Sequence, residues 1–419
     1  MLSNVFISGR ESSVIQQEDH DISSIRYSKS SVDLLNKTAS SSVLGLSRCV
    51  SLFREGQGAL VLSPSAKVPA EFLVPRRTSC NSIHQDSDFT QIYSKSFIPP
   101  LKQKALDIAV ANAFHEDMAY AKRTRSVVVI YKGSLVAESY SQGFNSDSVL
   151  LGWSMSKSLF ATAIGVAADK LNFDINKPVI HYLKLDGWAH DERSLITVAD
   201  LLQMQSGLAW DESYNKLSDV TQMLFEDSDM TRSQSRTNLL HRPGTFFNYS
   251  SGTSNLLSGV LRSIFPNQQA YLDFMYVEFA DKIGMSSLLF ETDINQNFVA
   301  SSYAWASSRD WAKLGQLYLN RGLWNQKKIF SENWFHFASK ATESSNFEYA
   351  GHFWSNKNAH LKNSPKDAFY ACGHLGQRIF IVPSKELVVV RTGLTEQSRA
   401  STHEMMDGLL SHIISALAE

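Results

Sequence analysis

Leu151-Gly152-Trp153-Ser154-Met155-Ser156-Lys157-Ser158 is the stretch that decides the fold. It begins a helical pattern whose apolar residues recur on one side, namely Leu159, Phe160, Ala163, Ile164, Ala167 and Leu171. Residues three positions apart share a helix face, so the Lys157 amine can reach the Ser154 hydroxyl. If that face is buried, loss of water lowers the lysine pKa and makes its neutral amine a usable base. Ser154 is therefore the candidate nucleophile and Lys157 the candidate base.

The Ser-x-x-Lys spacing alone does not identify the nucleophile and its base. About three matches are expected by chance in a chain of this composition, and Ser213-Tyr214-Asn215-Lys216 is a second one. Context separates them, because Ser154 follows a pair of strands and begins a long helix, whereas Ser213 lies in a polar stretch. The alternative for Ser154 is an N-cap serine beside an unrelated lysine. As nucleophile, its backbone N–H and the helix dipole would face a developing oxyanion.

Strand patterns flank this helical region on both sides. The β-rich runs are 126–131 and 135–140, joined by the turn Lys132-Gly133, and later 368–371, 378–382 and 386–392. Helical patterns cover 101–118, 154–171, 197–204, 251–264, 308–320 and 401–417. The order predicts an α+β fold, with one antiparallel sheet from about 124–150 and 300–419 and a mainly helical region over about 158–300 inserted between.

A second polar element is Phe247-Asn248-Tyr249-Ser250-Ser251, which begins another helix. A phenol held beside a lysine can relay a proton, as base toward a serine and as acid toward a leaving group. The alternative for Tyr249 is a core residue with a tethered hydroxyl.

A third element is Gly373-His374-Leu375-Gly376-Gln377, directly before a β-rich run. Two glycines permit close backbone approach, which is typical of the strand edge of an active site. The backbone N–H of Gln377 is then a candidate second oxyanion donor, and His374 and Gly376 would line the substrate site. The alternative for His374 is a hydrogen-bonded structural histidine.

Composition excludes several function classes. The chain has 419 residues with a formal net charge of -1, 43% hydrophobic and 19% charged residues, so no excess charge suggests nucleic acid or an anionic membrane. Met1–Arg10 lacks the basic and apolar regions of a signal peptide, and no run reaches the ~18 apolar residues of a spanning helix. We expect a cytoplasmic protein without a membrane span. Periplasmic or secreted location is the alternative if the start codon is misassigned.

Two further expectations concern the first part of the chain. Residues 1–45 are serine-rich without a sustained period, which predicts a flexible polar tail before a domain over 46–419. Cys49, Cys80 and Cys372 are too few and scattered for a disulfide framework or a zinc site. Three unpaired thiols are favoured, with a single Cys49–Cys80 bridge as the alternative.

In combination, the three polar elements and their order resemble the class C β-lactamase superfamily, in particular the branch of 6-aminohexanoate-dimer hydrolase and related carboxylesterases. The resemblance extends over about residue 48 to the C-terminus. Its supporting segments are 151–158, 196–208, 243–251 and 306–315. It implies that Ser154 is the nucleophile, Lys157 the general base or proton shuttle and Tyr249 the proton relay. It also implies an oxyanion hole from the backbone N–H groups of Ser154 and Gln377, and neither metal nor organic cofactor.

Two departures from the penicillin-directed members narrow the expected substrate. Those members usually carry Tyr-x-Asn and Lys-Thr-Gly, where this chain has Tyr249-Ser250-Ser251 and His374-Leu375-Gly376. A histidine near neutral pH supplies at best a partial positive charge for a substrate carboxylate. We therefore predict hydrolysis of a small ester or linear amide through a Ser154 acyl-enzyme. The alternatives are a β-lactamase or D,D-peptidase, and a catalytically silent binding module of the same fold. Substrate identity and oligomeric state do not follow from the sequence.

Overall fold

The computed structural model describes residues 1–62, 68–78, 98–116, 121–396 and 399–418. The chain divides into two compact units. Unit 1 comprises Met1–Arg76, Asp174–Phe274 and Leu289–Trp305, and unit 2 comprises Arg77–Phe173, Met275–Leu288 and Ala306–Glu419.

Unit 2 contains a six-stranded antiparallel sheet built from both ends of the chain. Its strands are β5 (Thr124–Tyr131), β6 (Ser134–Tyr140), β12 (Trp354–Ser355), β13 (Phe369–Gly373), β14 (Gln377–Val382) and β15 (Leu387–Gly393). Their spatial order is β12-β13-β14-β15-β5-β6. β5 and β15 pair with Val129 opposite Val389, so early and late strands meet in the middle. This confirms the predicted antiparallel sheet and the α+β class.

The central strands carry continuous apolar runs because they are covered on both faces. Every residue of β14 and β15 is buried. The helix Ser308–Leu319 packs on β5, β14 and β15, and it lies so close that a Cβ atom on Gly315 would come within 2.5 Å of Val388. β5 and β6 form the predicted hairpin, with positive φ at both Lys132 (49°) and Gly133 (74°), as tight hairpin turns require.

The helices of unit 2 are α3 (Pro100–Ala111), α4 (Met155–Lys170), α9 (Ser308–Leu319), α10 (Glu332–Ser339) and α11 (Arg399–Leu417). α3 packs on β6 and on α11, and α4 packs on β13 and β14. We predicted one apolar face for α4, but every residue from Met155 to Ala167 is buried. The reason is a second neighbour, since a Cβ atom on Gly165 would lie 2.4 Å from the Trp334 ring of α10.

Unit 1 begins with regular structure where we predicted a flexible tail. α1 (Leu2–Phe6) and α2 (Ser12–Glu18) precede a four-stranded antiparallel sheet of β1 (Ser28–Asp33), β2 (Thr38–Val43), β3 (Leu46–Arg54) and β4 (Gly58–Leu62). The two serine-rich strands pair through their hydroxyls, Ser30 with Ser41 at 2.7 Å and Ser31 with Ser40 at 3.0 Å. The lack of apolar alternation hid these strands from sequence analysis. The proposed boundary at residue 46 stays a prediction.

The rest of unit 1 is mainly helical, as the sequence predicted. Its helices are α5 (Val198–Leu202), α6 (Asp219–Phe225), α7 (Ser251–Ser263) and α8 (Gln268–Phe274), and its strand β8 (Leu289–Phe290) pairs with the start of β9 (Ala304–Ser307). A Thr197–Asp200 capping box begins α5, which lies within the predicted helical stretch 197–204. The remaining strands belong to unit 2 and are β7 (Val149–Leu151), β10 (Leu323–Trp324) and β11 (Lys327–Lys328).

Two expectations from composition can be compared with the structure. Among the helices of the described ranges, none has the length and apolar character that crossing a bilayer demands. Cys49 and Cys372 are free cysteines. The alternative Cys49–Cys80 bridge involves Cys80, which lies outside the described residues.

Candidate active site

The structure brings Ser154 and Lys157 together at the start of α4. Nζ of Lys157 donates a hydrogen bond to Oγ of Ser154 at 3.0 Å. Lys157 is buried, with 1% of its surface exposed, whereas Ser154 is only half-buried. Ser154 occupies the N-cap position, but its side chain makes no capping hydrogen bond. The hydroxyl is thus oriented toward the lysine and does not cap the helix.

A strained turn holds Ser154 in place. Trp153 has φ 49°, in the left-handed region that a bulky residue rarely adopts. Its carbonyl oxygen accepts hydrogen bonds from the backbone N–H and the hydroxyl of Ser156, at 2.9 and 2.5 Å. Before it, a Cβ atom on Gly152 would lie 2.4 Å from the ring of Trp311. The chain therefore turns sharply between β7 and α4, and the turn is built around the candidate nucleophile.

The end of β13 lies against this turn. A Cβ atom on Gly373 would come within 2.2 Å of the carbonyl oxygen of Gly152. The next residue, His374, packs edge-on against Trp153, with ring centroids 5.4 Å apart and an interplanar angle of 82°. The third predicted element is thereby placed beside Ser154, with His374 next to the residue that precedes the candidate nucleophile.

His374 is a neutral group near pH 7. The imidazole keeps an exposed surface, yet neighbouring protein atoms displace enough water that desolvation lowers its pKa, with the charge of Glu396 partly opposing the shift. A neutral imidazole offers no full positive charge to a substrate carboxylate. The electrostatics of this position therefore differ from those of a lysine.

Gln377 and Arg391 fix the loop between β13 and β14. Nε2 of Gln377 donates to the carbonyl oxygen of His374 at 3.0 Å, and its Oε1 accepts from the backbone N–H of Gly393 at 2.9 Å. Nη1 of Arg391 donates to the carbonyl oxygen of Gly376 at 3.0 Å. Gly376 has φ 85°, and a Cβ atom there would lie 2.5 Å from Nη1 of Arg391. Position 376 therefore requires glycine both for its positive φ and for the close approach of Arg391.

Arg391 is a residue that sequence analysis missed. It is 1% exposed, and its guanidinium also donates to the carbonyl oxygen of Lys122 at 2.6 Å and to Oγ1 of Thr395 at 2.8 Å. Desolvation and the charge of Arg378 lower its pKa to about 9, so it remains cationic at neutral pH. The sequence does place Arg391 inside the β-rich run 386–392. A charge at a buried strand position needs specific partners, so this arginine could have been singled out as a structural anchor.

Tyr249 belongs to unit 1, whereas Ser154, Lys157, His374 and Gln377 belong to unit 2. Tyr249 is half-buried and directly precedes Ser250, the N-cap of α7. The Ser250 hydroxyl accepts a hydrogen bond from the backbone N–H of Thr253 at 3.0 Å. The start of α7 therefore has a defined cap one residue after the tyrosine.

Glu212 is the second residue that sequence analysis missed. Its carboxylate accepts from the backbone N–H of Ser251 at 2.8 Å, from the Ser251 hydroxyl at 2.5 Å and from Nε1 of Trp210 at 2.6 Å. Ser251 itself is fully buried. Ser251, the third residue of Tyr-x-Ser, thus donates two hydrogen bonds to a carboxylate of unit 1. Burial and Glu212 raise the pKa of the nearby Tyr214 well above its usual value, so Tyr214 stays a neutral phenol.

The second Ser-x-x-Lys match lacks the corresponding contact. Lys216 pairs with Asp211 at 2.8 Å, and the same carboxylate accepts from the backbone N–H of Ser213 at 3.0 Å. Ser213 lies in a loop before α6, not at the start of a helix. Within the described ranges, no group of three or more histidines, cysteines or acidic residues is arranged to hold a metal ion.

Comparison with known proteins decides the family. Residues 110–402 match the model of the Beta-lactamase family. The chain belongs to this family. The fold resemblance predicted from the sequence is confirmed by the match and by solved structures of beta-lactamase-like proteins.

Among its relatives, the chain is 22% identical over 327 residues to a 6-aminohexanoate-dimer hydrolase of Paenarthrobacter ureafaciens, covering 70% of this chain and 79% of the relative. A Bacillus anthracis structure that bears the 6-aminohexanoate-dimer hydrolase name matches with a TM-score of 0.59 at 20% identity, covering 80% of this chain and 87% of that one. A family VIII carboxylesterase matches with a TM-score of 0.57 at 17% identity, covering 77% and 98%. At these identities the structural matches establish the fold.

Proposed function

We propose that this member of the beta-lactamase family is a serine hydrolase that cleaves a small ester or linear amide through an acyl-enzyme on Ser154. The observation that carries the proposal is the 3.0 Å hydrogen bond between the buried Lys157 amine and the half-exposed Ser154 hydroxyl. A nucleophile and a base within hydrogen-bond reach are the signature of nucleophilic catalysis. The names of its relatives, a dimer hydrolase and a carboxylesterase, point in the same direction.

In the proposed first step, Lys157 accepts the Ser154 proton while Oγ attacks the substrate carbonyl carbon. Burial supports this role, because an amine without water around it favours its neutral, proton-accepting form. The developing oxyanion would be stabilised by the backbone N–H groups of Ser154 and Gln377, the first of which lies at the positive end of α4. We propose Tyr249 as the relay, which gives its phenol proton to the departing alcohol or amine and takes up the proton held by Lys157, so that both groups regain their starting states.

In the second step, water attacks the acyl carbon, one proton of that water passes to Oγ of Ser154 as the Ser154–acyl bond breaks, and the carboxylic acid is released. The proposed substrate preference rests on His374. A neutral imidazole beside Trp153 favours an uncharged substrate over one that must be anchored by a carboxylate. A β-lactam carries such a carboxylate, so we place esters and linear amides ahead of penicillins.

Labelling with a fluorophosphonate followed by peptide mass spectrometry tests the proposal. We expect label on Ser154, loss of label in Ser154→Ala, and full label in the matched control Ser213→Ala, which removes the serine of the second Ser-x-x-Lys match. Label on another residue, or equal activity of Ser154→Ala and wild type, contradicts the mechanism. A panel of p-nitrophenyl esters, an aminohexanoate dimer and nitrocefin then ranks the substrate classes, and nitrocefin turnover at the rate of ester hydrolysis would reverse the preference.

A further inference from the structure

The carboxylate of Glu212 joins a loop to the start of α7. Oε2 accepts from Nε1 of Trp210 at 2.6 Å and from the backbone N–H of Ser251 at 2.8 Å. Oε1 accepts from the Ser251 hydroxyl at 2.5 Å, and the Tyr214 phenol lies 3.5 Å from the same oxygen. Both carboxylate oxygens are therefore engaged by donors of unit 1, and a negative charge is held at the N-terminus of a helix, where the dipole favours it.

These contacts immobilise the backbone on one side of Tyr249. Ser251, two residues after Tyr249, is fully buried and bonded twice to Glu212. On the other side, the backbone N–H of Asn248 donates to the carbonyl oxygen of Met204 at 2.8 Å. Tyr249 is thus flanked by two anchors, and the one at Ser251 is formed by the Glu212 carboxylate.

The indole that bonds to this carboxylate packs closely on the start of α7. A Cβ atom on Gly252 would lie 2.5 Å from the ring of Trp210, so the helix start and the indole are in close contact. Because Glu212 holds both the indole Nε1 and the Ser251 backbone, it sets their separation. A change at Glu212 would move the indole and the start of α7 relative to each other.

We propose that Glu212 is a positioning residue for Tyr249, which fixes the phenol at the angle needed to protonate the leaving group. This inference rests on the proposed function, in which Tyr249 is the proton relay. Glutamine reproduces only part of this arrangement. Its amide oxygen can accept from the N–H groups of Trp210 and Ser251, but its NH2 group then occupies the place of Oε1, which accepts from the Ser251 hydroxyl. The expected consequence is a defect in proton delivery.

A series of substrates with one acyl group and different leaving groups measures that defect. A p-nitrophenolate leaves without a proton, whereas an alkoxide or an anilide needs one, so loss of the acid affects the poorer leaving groups more. We expect Glu212→Gln to lower kcat/KM for an alkyl ester and an anilide by about tenfold more than for the p-nitrophenyl ester. Tyr249→Phe should show the same selectivity, and Asp211→Asn, a carboxylate of the same loop, should show none.

A double-mutant cycle separates positioning from simple destabilisation. If Glu212 acts through Tyr249, Glu212→Gln in the Tyr249→Phe background should lower kcat/KM for the anilide by no more than about threefold. Glu212→Asp, which keeps the carboxylate, should recover part of the selectivity. Should Glu212→Gln not fold, Ser251→Ala removes one bond of the same carboxylate and should shift the leaving-group dependence in the same direction.

Equal losses across the leaving groups, or additive effects of Glu212→Gln and Tyr249→Phe, would overturn the inference. These results differ from a failure of the proposed function, which shows as an unlabelled Ser154 or as an active Ser154→Ala variant. The leaving-group series with unlabelled enzyme therefore follows the labelling experiment, which establishes Ser154 as the nucleophile.

Discussion

Gly373 and Gly152 approach so closely that a Cβ atom on Gly373 would lie 2.2 Å from the carbonyl oxygen of Gly152. The end of a sheet strand therefore touches the turn that leads into Ser154. Because His374 directly follows Gly373 and Gln377 lies four residues after it, this contact sets how the third motif faces the candidate nucleophile. A side chain on Gly373 would displace one of the two segments, and a side chain on Gly152 would clash with the Trp311 ring.

Gly373→Ala should consequently impair both stability and activity. We expect a loss of about 1–3 kcal/mol in the free energy of unfolding, the usual cost of overpacking a well-packed site. Loss of activity should accompany it, since relief of the clash displaces the His374 loop or the Ser154 turn. Urea unfolding and p-nitrophenyl ester turnover provide the measurements. Gly408→Ala in α11 is the matched control, because a Cβ atom there meets no atom within 4 Å. A fully stable and active Gly373→Ala variant would contradict the close contact.

Lys157→Arg should remove nearly all activity while retaining a positive charge. A guanidinium does not give up its proton in proteins, so it cannot serve as a base toward Ser154. We expect kcat/KM to fall by about 10²–10⁴, the range usual for loss of a general base. Lys216→Arg, in the second Ser-x-x-Lys match, should leave kcat/KM unchanged. If Lys157→Arg retained the wild-type rate, another group would have to act as the base.

The buried carboxylate of Asp293 should give unit 1 a stability that depends on pH. Desolvation raises the pKa of Asp293 to about 7, although hydrogen bonds from Asn297 partly oppose the shift. Between about pH 4 and 7, the folded protein therefore keeps a proton on Asp293 that the unfolded chain has lost. The contribution of Asp293 to the free energy of unfolding falls as the pH rises through that window.

Asp293→Asn removes this titration, so its stability relative to wild type should improve by up to about 4 kcal/mol between pH 4 and pH 8. Urea unfolding at several pH values measures the difference. Asp211→Asn is a suitable control because the pKa of Asp211 is lowered to about 2, mainly by hydrogen bonding to Lys216, and lies below the window. A constant difference between Asp293→Asn and wild type over this range would show that the carboxylate is not protonated in the fold.

The sheet of unit 2 could be predicted because its signals are local. Val127-Val128-Val129-Ile130 and Leu387-Val388-Val389-Val390 are β-branched or apolar runs bounded by turns, and both became buried strands. The start of α4 was equally visible, since Ser154 and Lys157 lie three residues apart. Patterns of this kind depend on neighbours in sequence.

The parts that escaped prediction depend on residues distant in sequence. Glu212 bonds to Ser251, 39 residues away, and Arg391 bonds to Lys122, 269 residues away, so the local sequence does not show the partner of either residue. Strands β1 and β2 escaped for another reason, because serine-rich runs lack the apolar alternation of a typical strand, and hydroxyl contacts only supplement their antiparallel backbone ladder. Pairings over such separations are visible only after folding.

His374→Lys should shift substrate preference toward carboxylate-bearing substrates. The wild-type imidazole has a lowered pKa and is neutral at pH 7, whereas a lysine ammonium could form a charge-assisted hydrogen bond with a carboxylate, worth about 1.5–3 kcal/mol. We expect the ratio of kcat/KM for nitrocefin to that for an uncharged ester to rise by about tenfold or more. His374→Gln, which stays neutral, should leave the ratio unchanged at pH 7. Because desolvation lowers the pKa of His374, wild type should approach the lysine variant only in acid, below the ordinary range of an imidazole pKa. An equal ratio for all three proteins throughout would show that residue 374 does not set the preference.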